Sequence, residues 1–303
     1  MASSGFVLLD KIAGETSFKA LFPLKRVFCT KRVGHAGTLD LRASGLIIAA
    51  TGRATRLLPY VEAKDKCYTF RLHLGYETDT LEWDGAVVEQ GSSGASREDL
   101  ERVIPQFVGD IDQIPPKYCA VKIDGRRASD WMERGKQIEL KPRRIHIASL
   151  KVIGEGFQTE GCTGKSFATF DMECNCSKGT YIRSLGRDIA RALGTCGCVS
   201  MIRRHRIGNV NVDSAVRGEN LTRENLLPVD QVLDFPVVRL NDNQVKAIRL
   251  GNWVPWRTPV ENLSSQPGCE SFVFAADMNG EVLSLCHYEP GRIMPKFYLG
   301  EDE

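Results

Sequence analysis

From Ala168 to Cys176 the chain alternates strictly. Ala168, Phe170, Met172, Cys174 and Cys176 are apolar or thiol residues, and Thr169, Asp171, Glu173 and Asn175 between them are polar. Period two is the signature of a strand with one face in a core and one in water. Past Ser177-Lys178-Gly179-Thr180 the period changes: Ile182, Leu185, Ile189 and Leu193 recur at helical spacing, and Gly194 is a natural helix stop. Strand and amphipathic helix are thus joined by one short turn.

The same reading extends along the chain. Residues 5–10 form a buried strand, and Ser44 to Thr51 a second one. Thr16 and Ser17 are good helix N-caps, and Phe18, Leu21, Phe22, Leu24, Val27 and Phe28 predict a broad apolar helix face after them. Ala54 to Ala63 predicts a short helix. Tyr68, Phe70, Leu72 and Leu74 alternate as a strand does, and Ser96 with Asp99 resembles a capping box opening a helix pinned by Leu100, Val103, Ile104 and Phe107. Strands and helices mix without a βαβ rhythm, which predicts an α+β fold. The last part of the chain is punctuated by Pro236, Pro255, Pro259, Pro267, Pro290 and Pro295, between short apolar runs such as Phe272-Val273-Phe274 and Val282-Leu283-Ser284-Leu285. That pattern predicts a small β-rich domain over 233–303, following a first domain over 1–232.

The longest apolar runs, such as Leu46 to Ala50, are far too short to span a bilayer, and nothing after Met1 reads as a secretory signal. No membrane association and a cytoplasmic location are expected. The ten cysteines are too sparse for a disulfide scaffold. Cys174 with Cys176 and Cys196 with Cys198 are C-x-C pairs, closer than the usual zinc-ligand spacing, so reduced thiols and no metal are expected. Gly164-Lys165-Ser166 lacks the earlier glycine of a phosphate-binding loop, Thr159 standing there, and leads into a strand.

The net charge of +2 conceals an uneven distribution. Lys11 to Arg56 holds nine basic residues against Glu15 and Asp40, and Lys178 to Arg206 holds seven against Asp188. From Val232 onward six basic residues face ten acidic ones. Two basic segments are the footprint of a polyanionic partner. Inside the first lies Gly34-His35-Ala36-Gly37-Thr38-Leu39-Asp40. Arginine-rich surroundings favour the ionised carboxylate of Asp40, and a positioned carboxylate can act as a nucleophile.

This loop, continuing as Leu41-Arg42-Ala43-Ser44-Gly45, resembles the catalytic-aspartate motif of the TruB family of pseudouridine synthases. Further segments resemble the family in the right order: Leu9-Asp10-Lys11 with Gly14-Glu15-Thr16-Ser17, Asp65-Lys66-Cys67-Tyr68, Leu74-Gly75-Tyr76-Glu77-Thr78-Asp79-Thr80 with Asp84-Gly85, Gln113 to Lys122 with Gly125, and Cys176-Ser177-Lys178-Gly179-Thr180-Tyr181-Ile182-Arg183. The resemblance covers residues 5–208. It implies the pseudouridine synthase fold, a mixed, mostly antiparallel sheet flanked by helices, with a PUA-like C-terminal domain.

The resemblance also implies roles. Asp40 would be the nucleophile, Tyr68 would stack on the target uracil and help remove its C5 proton, and Arg183 would pair with Asp40. Tyr181 would line the pocket, His35 would take the flipped base's place, and Lys11 would support the catalytic loop or the RNA backbone. Lys178 is a substrate-binding candidate. The Ser177–Thr180 turn at a helix start suits a phosphate, and Arg203, Arg204 and Arg206 would add phosphate contacts. The implied substrate is the T-loop uridine (position 55) in the T-arm of tRNA, with no cofactor, no protein partner and a monomeric enzyme. Leu41, Arg42 and Ser44 depart from the family's usual residues. An RNA chaperone without catalysis is the rival reading, and the trio Asp40, Tyr68 and Arg183 argues against it.

Overall fold

The computed structural model describes residues 4–92, 94–159, 166–261, 263 and 271–300. Gly164-Lys165 and Pro267 lie outside them. A nine-stranded sheet dominates the described residues. Its principal strands are β1 (Gly5–Lys11), β2 (Val33–Ala36), β3 (Ser44–Thr51), β4 (Lys66–Leu74), β5 (Gly109–Gln113), β6 (Arg143–Thr159), β7 (Ser166–Cys176) and β8 (Gly197–Ile207). They lie in the order β1-β3-β8-β4-β7-β6-β5, with β2 paired to β3. Every pairing among them is antiparallel except β8 with β3, where Arg203 and Arg204 run parallel to Ser44 and Gly45.

The apolar patterns follow from which faces are covered. In β1, Val7 and Leu9 enter one core with Ile47 and Ala49 of β3. Phe6 and Leu8 enter the opposite core with Leu46, Ile48 and Ala50. With both faces buried, these strands read as continuous apolar runs. β7 alternates because its other face is wet: Phe170, Met172, Cys174 and Cys176 are buried, while Asp171 forms a bidentate pair with Arg71 on β4 at 2.7 and 2.9 Å.

The helix α3 expected after β7 spans Ile182–Ala192 and buries Ile182, Leu185 and Ile189, each stabilising the fold by roughly 2 kcal/mol. It packs against β8 at Gly186, where a Cβ would lie 2.3 Å from Val199 Cγ1. Ser96 and Asp99 do form a capping box, opening α2 over Arg97–Val103. Ala54 to Ala63 is a 3-10 turn followed by the short helix Leu58–Glu62. One expectation fails after Ser17. Helix α1 is only Phe22–Val27, following a 3-10 turn at Lys19–Leu21. Leu21, Leu24 and Phe28 are buried, but Phe18 and Phe22 point outward.

The C-terminal segment forms a separate five-stranded sheet. Its strands are Val237–Arg239, Val254–Trp256, Phe272–Ala276, Val282–Glu289 and Gly291–Tyr298. The sheet has its own core around Val238, Val273 and Ile293. Phe274, Leu285 and Leu299 also join the core behind β1 and β3, so the two sheets share packing. No helix among the described residues is long and apolar enough to cross a membrane.

His73 on β4 is buried, with Nε2 2.7 Å from Ser200 Oγ. Burial, reinforced by Arg71, lowers its pKa to about 4. Between that value and the ordinary histidine pKa near 6.5, the unfolded chain holds a proton the folded one has lost. Stability therefore falls as pH drops through this window, by up to about 3 kcal/mol. Urea midpoints between pH 7 and 4.5 should show the loss, and His73→Gln should flatten it; equal slopes in both proteins would contradict the assignment.

Candidate active site

β2 and β3 form a hairpin whose connection, residues 37–43, carries Asp40. Three side chains fix that connection from below. Ser17 Oγ accepts from the Leu39 N–H at 2.9 Å and donates to the Leu39 carbonyl at 3.0 Å. Lys11 is buried, and its ammonium donates to the carbonyls of Ala43 at 2.5 Å, Ile12 at 3.0 Å and Leu41 at 3.4 Å. Arg204, only 1% exposed, donates to Leu46 O at 2.8 Å and Gly37 O at 2.9 Å. Its backbone presses on Gly45, whose φ is +102°; a Cβ there would lie 2.2 Å from the Arg204 carbonyl, so only glycine fits.

Arg183 sits in the first turn of α3 and is almost fully buried. Its Nε and Nη2 each donate to one carboxylate oxygen of Asp40 at 2.9 Å. Nη1 donates to Thr80 O at 2.9 Å, and Nη2 also donates to Tyr118 O at 2.8 Å. Backbone carbonyls from two loops thus lock the guanidinium, and the guanidinium aims the carboxylate, which stays partly open to solvent. Paired, charge-assisted bonds of this kind specify geometry as well as energy.

Two phenols stand nearby. Tyr68 on β4 is buried, its hydroxyl 3.4 Å from Arg204 Nη1. Burial raises its pKa, with Arg204 opposing the shift. Tyr181 caps the start of α3, where the buried Gln113 accepts from its N–H at 2.8 Å and donates to its carbonyl at 3.2 Å. Burial pushes the Tyr181 phenol up to about 12. Both phenols are therefore protonated at neutral pH. His35 lies on β2 with Nδ1 buried and unpaired, and burial beside Arg204 lowers its pKa.

Lys178 is exposed on the turn before α3. Other expectations need correction. Lys11 has its donors occupied by carbonyls, so it supports the loop and cannot reach an RNA backbone. The Tyr181 N–H just before α3 is taken by Gln113. Arg204 does not face outward as a phosphate ligand, and Arg203 and Arg206, both half-buried, are engaged within the protein. Arg203 pairs with Asp10 at 3.0 Å, Arg206 bonds Gly208 O and Asn175, and Arg204 is internal.

Sequence reasoning missed Glu82. Burial raises its pKa, Arg183 opposes this and Asp40 adds to it, which places a second carboxyl within electrostatic range of the pair. The basic stretch from Lys117 to Arg144 was also missed: nine Lys/Arg against four acids. It leaves the site at Tyr118, forms the small hairpin Lys122–Ile123 with Arg126–Arg127, and continues as the helix Ala128–Glu133. Its charge density was the available signal.

The family model described as TruB family pseudouridylate synthase (N terminal domain) matches residues 25–182. The tRNA pseudouridine synthase B of Borrelia garinii subsp. bavariensis is 37% identical over 282 residues, 93% of this chain and 94% of that protein. The protein of the same name from Caulobacter vibrioides is 34% identical over 304 residues, covering 97% and 95%. Among solved structures, an H/ACA RNP bound to a substrate RNA containing 2'-deoxyuridine superposes with a TM-score of 0.70 at 19% identity. That match covers 98% of this chain and 85% of the other, a likeness of fold.

Proposed function

The chain belongs to the TruB family of pseudouridylate synthases, and from that premise we propose that it isomerises the T-loop uridine at position 55 of tRNA through Asp40. The observation that carries this reading is the carboxylate clamped by Arg183 at 2.9 Å through both oxygens, beside one buried phenol, Tyr68, and one half-buried phenol, Tyr181.

A stacked uracil cannot reach this carboxylate, so the nucleotide leaves the loop's stack, at a cost of a few kcal/mol offset by pocket contacts. Asp40 attacks the target nucleotide. The bond between C1′ and N1 breaks, the uracil turns, and C1′ bonds to C5 as the bond made by Asp40 breaks and the free carboxylate returns. The C5 proton is lost and N1 gains one, so nothing is oxidised and no co-reactant is consumed. Tyr68 stacks on the base, and its phenolate form, which Arg204 beside the hydroxyl favours against burial, takes the C5 proton. Tyr181 walls the pocket. His35, held neutral by burial, fills the gap the base leaves. Lys11 holds the loop that carries Asp40, and Lys178 and the 117–144 segment meet the phosphates.

The division at residues 232/233 separates the catalytic part from the C-terminal sheet, which serves mainly to cover the β1–β3 face. The enzyme works as a cytoplasmic monomer without a protein partner or cofactor. An isolated T-arm stem-loop transcript tests the substrate assignment. Pseudouridine at its loop uridine, at a rate within about tenfold of full tRNA, is expected. Modification of full tRNA at another position alone would contradict it.

A further inference from the structure

Phe18 and Phe22 interrupt the apolar logic of the first helical segment. They are 60% and 49% exposed, although neighbouring Leu21 and Leu24 are buried. The rings stand edge to face, with centroids 5.4 Å apart at 81°. Lys25 Nζ lies 4.9 Å from one ring centroid and 5.2 Å from the other. Lys19, Lys25 and Arg26 form no ion pair among the described residues, and Glu15 is the only acid between Lys11 and Leu39. An exposed aromatic pair flanked by unneutralised cations suits a single-stranded polyanion whose units carry flat faces.

Position ties this patch to the reacting centre. Ser17 is bonded to Leu39 through both backbone groups, Phe18 follows Ser17, and Asp40 follows Leu39. Backbone dimensions then keep the Cα atoms of Phe18 and Asp40 within about 15 Å, the reach of a few nucleotides.

We propose that Phe18 and Phe22 form a stacking platform for an unpaired nucleotide flanking the target uridine. It selects RNA in which the target's neighbours can splay out of a helix. The proposal rests on the RNA substrate of the preceding section. Lys25 gives up one ring face to the base and contacts the adjoining phosphate.

The test compares wild type with Phe18→Leu/Phe22→Leu, which keeps apolar bulk but removes the π faces, on unmodified tRNA transcripts. One transcript set carries an abasic residue at each nucleotide beside the target. The expected results are a KM raised about tenfold with kcat changed less than about twofold, and a Phe18→Trp/Phe22→Trp variant close to wild type. One abasic transcript should cost wild type a similar factor and the leucine variant nothing further. Wild-type KM in the leucine variant, or abasic penalties that persist in it undiminished, would overturn the platform. If wild type makes no product on any transcript, the catalytic reading fails, and the platform is judged by affinity for the same RNA: weaker binding by the leucine variant supports it and equal binding overturns it.

Discussion

Asp40→Asn should fold, bind tRNA within about threefold of wild type, and form pseudouridine at least roughly 10⁴-fold more slowly. The amide is isosteric, and Ser17, Lys11 and Arg204 hold the loop through backbone atoms rather than through the Asp40 carboxylate. Folding should therefore survive. What disappears is the negative oxygen that attacks. Arg183 also loses its charged partner, and two of its donors then face an amide that offers one acceptor oxygen. Single-turnover rates with equilibrium binding on the same preparation separate the two effects. Turnover within about tenfold of wild type would remove Asp40 as the nucleophile.

Arg183→Lys should cost about 10²- to 10³-fold in kcat with KM shifted less than about threefold. A lysine ammonium is a point donor and cannot span both carboxylate oxygens as a guanidinium does. It also cannot reach the Thr80 and Tyr118 carbonyls at the same time, so at least one of them is left without a donor. The carboxylate keeps a positive neighbour but loses its fixed aim, and misplacement of about 1 Å is costly in a bond-forming step. Thermal denaturation should fall by several degrees, because the guanidinium joins two loops to α3. A rate unchanged from wild type would show that the orientation of Asp40 is set elsewhere.

Legibility in the sequence differed by level. The β7 alternation was readable because one side of the strand meets water, and the period of α3 was readable because polar residues separate its apolar ones, although the helix buries Arg183, Ser184 and Arg187 as well. β6 was not, although it runs from Arg143 to Thr159. Register shifts between Ile147 and Ser149 and between Val152 and Gly154 break its alternation, and Gly154 and Gly156 dilute it further. The pairing of Arg183 with Asp40 spans 143 residues of chain, and only resemblance pointed to it. Residue type could not separate Arg183 from Arg203, Arg204 and Arg206. The outcome depended on which arginine the parallel pairing of β8 with β3 carried inward. That pairing put Arg204 under the catalytic loop and left Arg203 to Asp10. Phe18 and Phe22 misled for the opposite reason. Their spacing fits a buried face, yet a short helix starting at Phe22 turns that face toward solvent.

The most direct test of the central claim is proton release from C5. Unmodified tRNA transcript carrying tritium at uridine C5 is incubated with dialysed protein and no cofactor, and the product is mapped by nucleotide. Release of about one tritium per tRNA, with pseudouridine at the T-loop position, is the expected result, because forming the bond from C1′ to C5 displaces that hydrogen. Stable binding of the same tRNA with no tritium released would contradict the account and leave a protein that holds RNA without isomerising it.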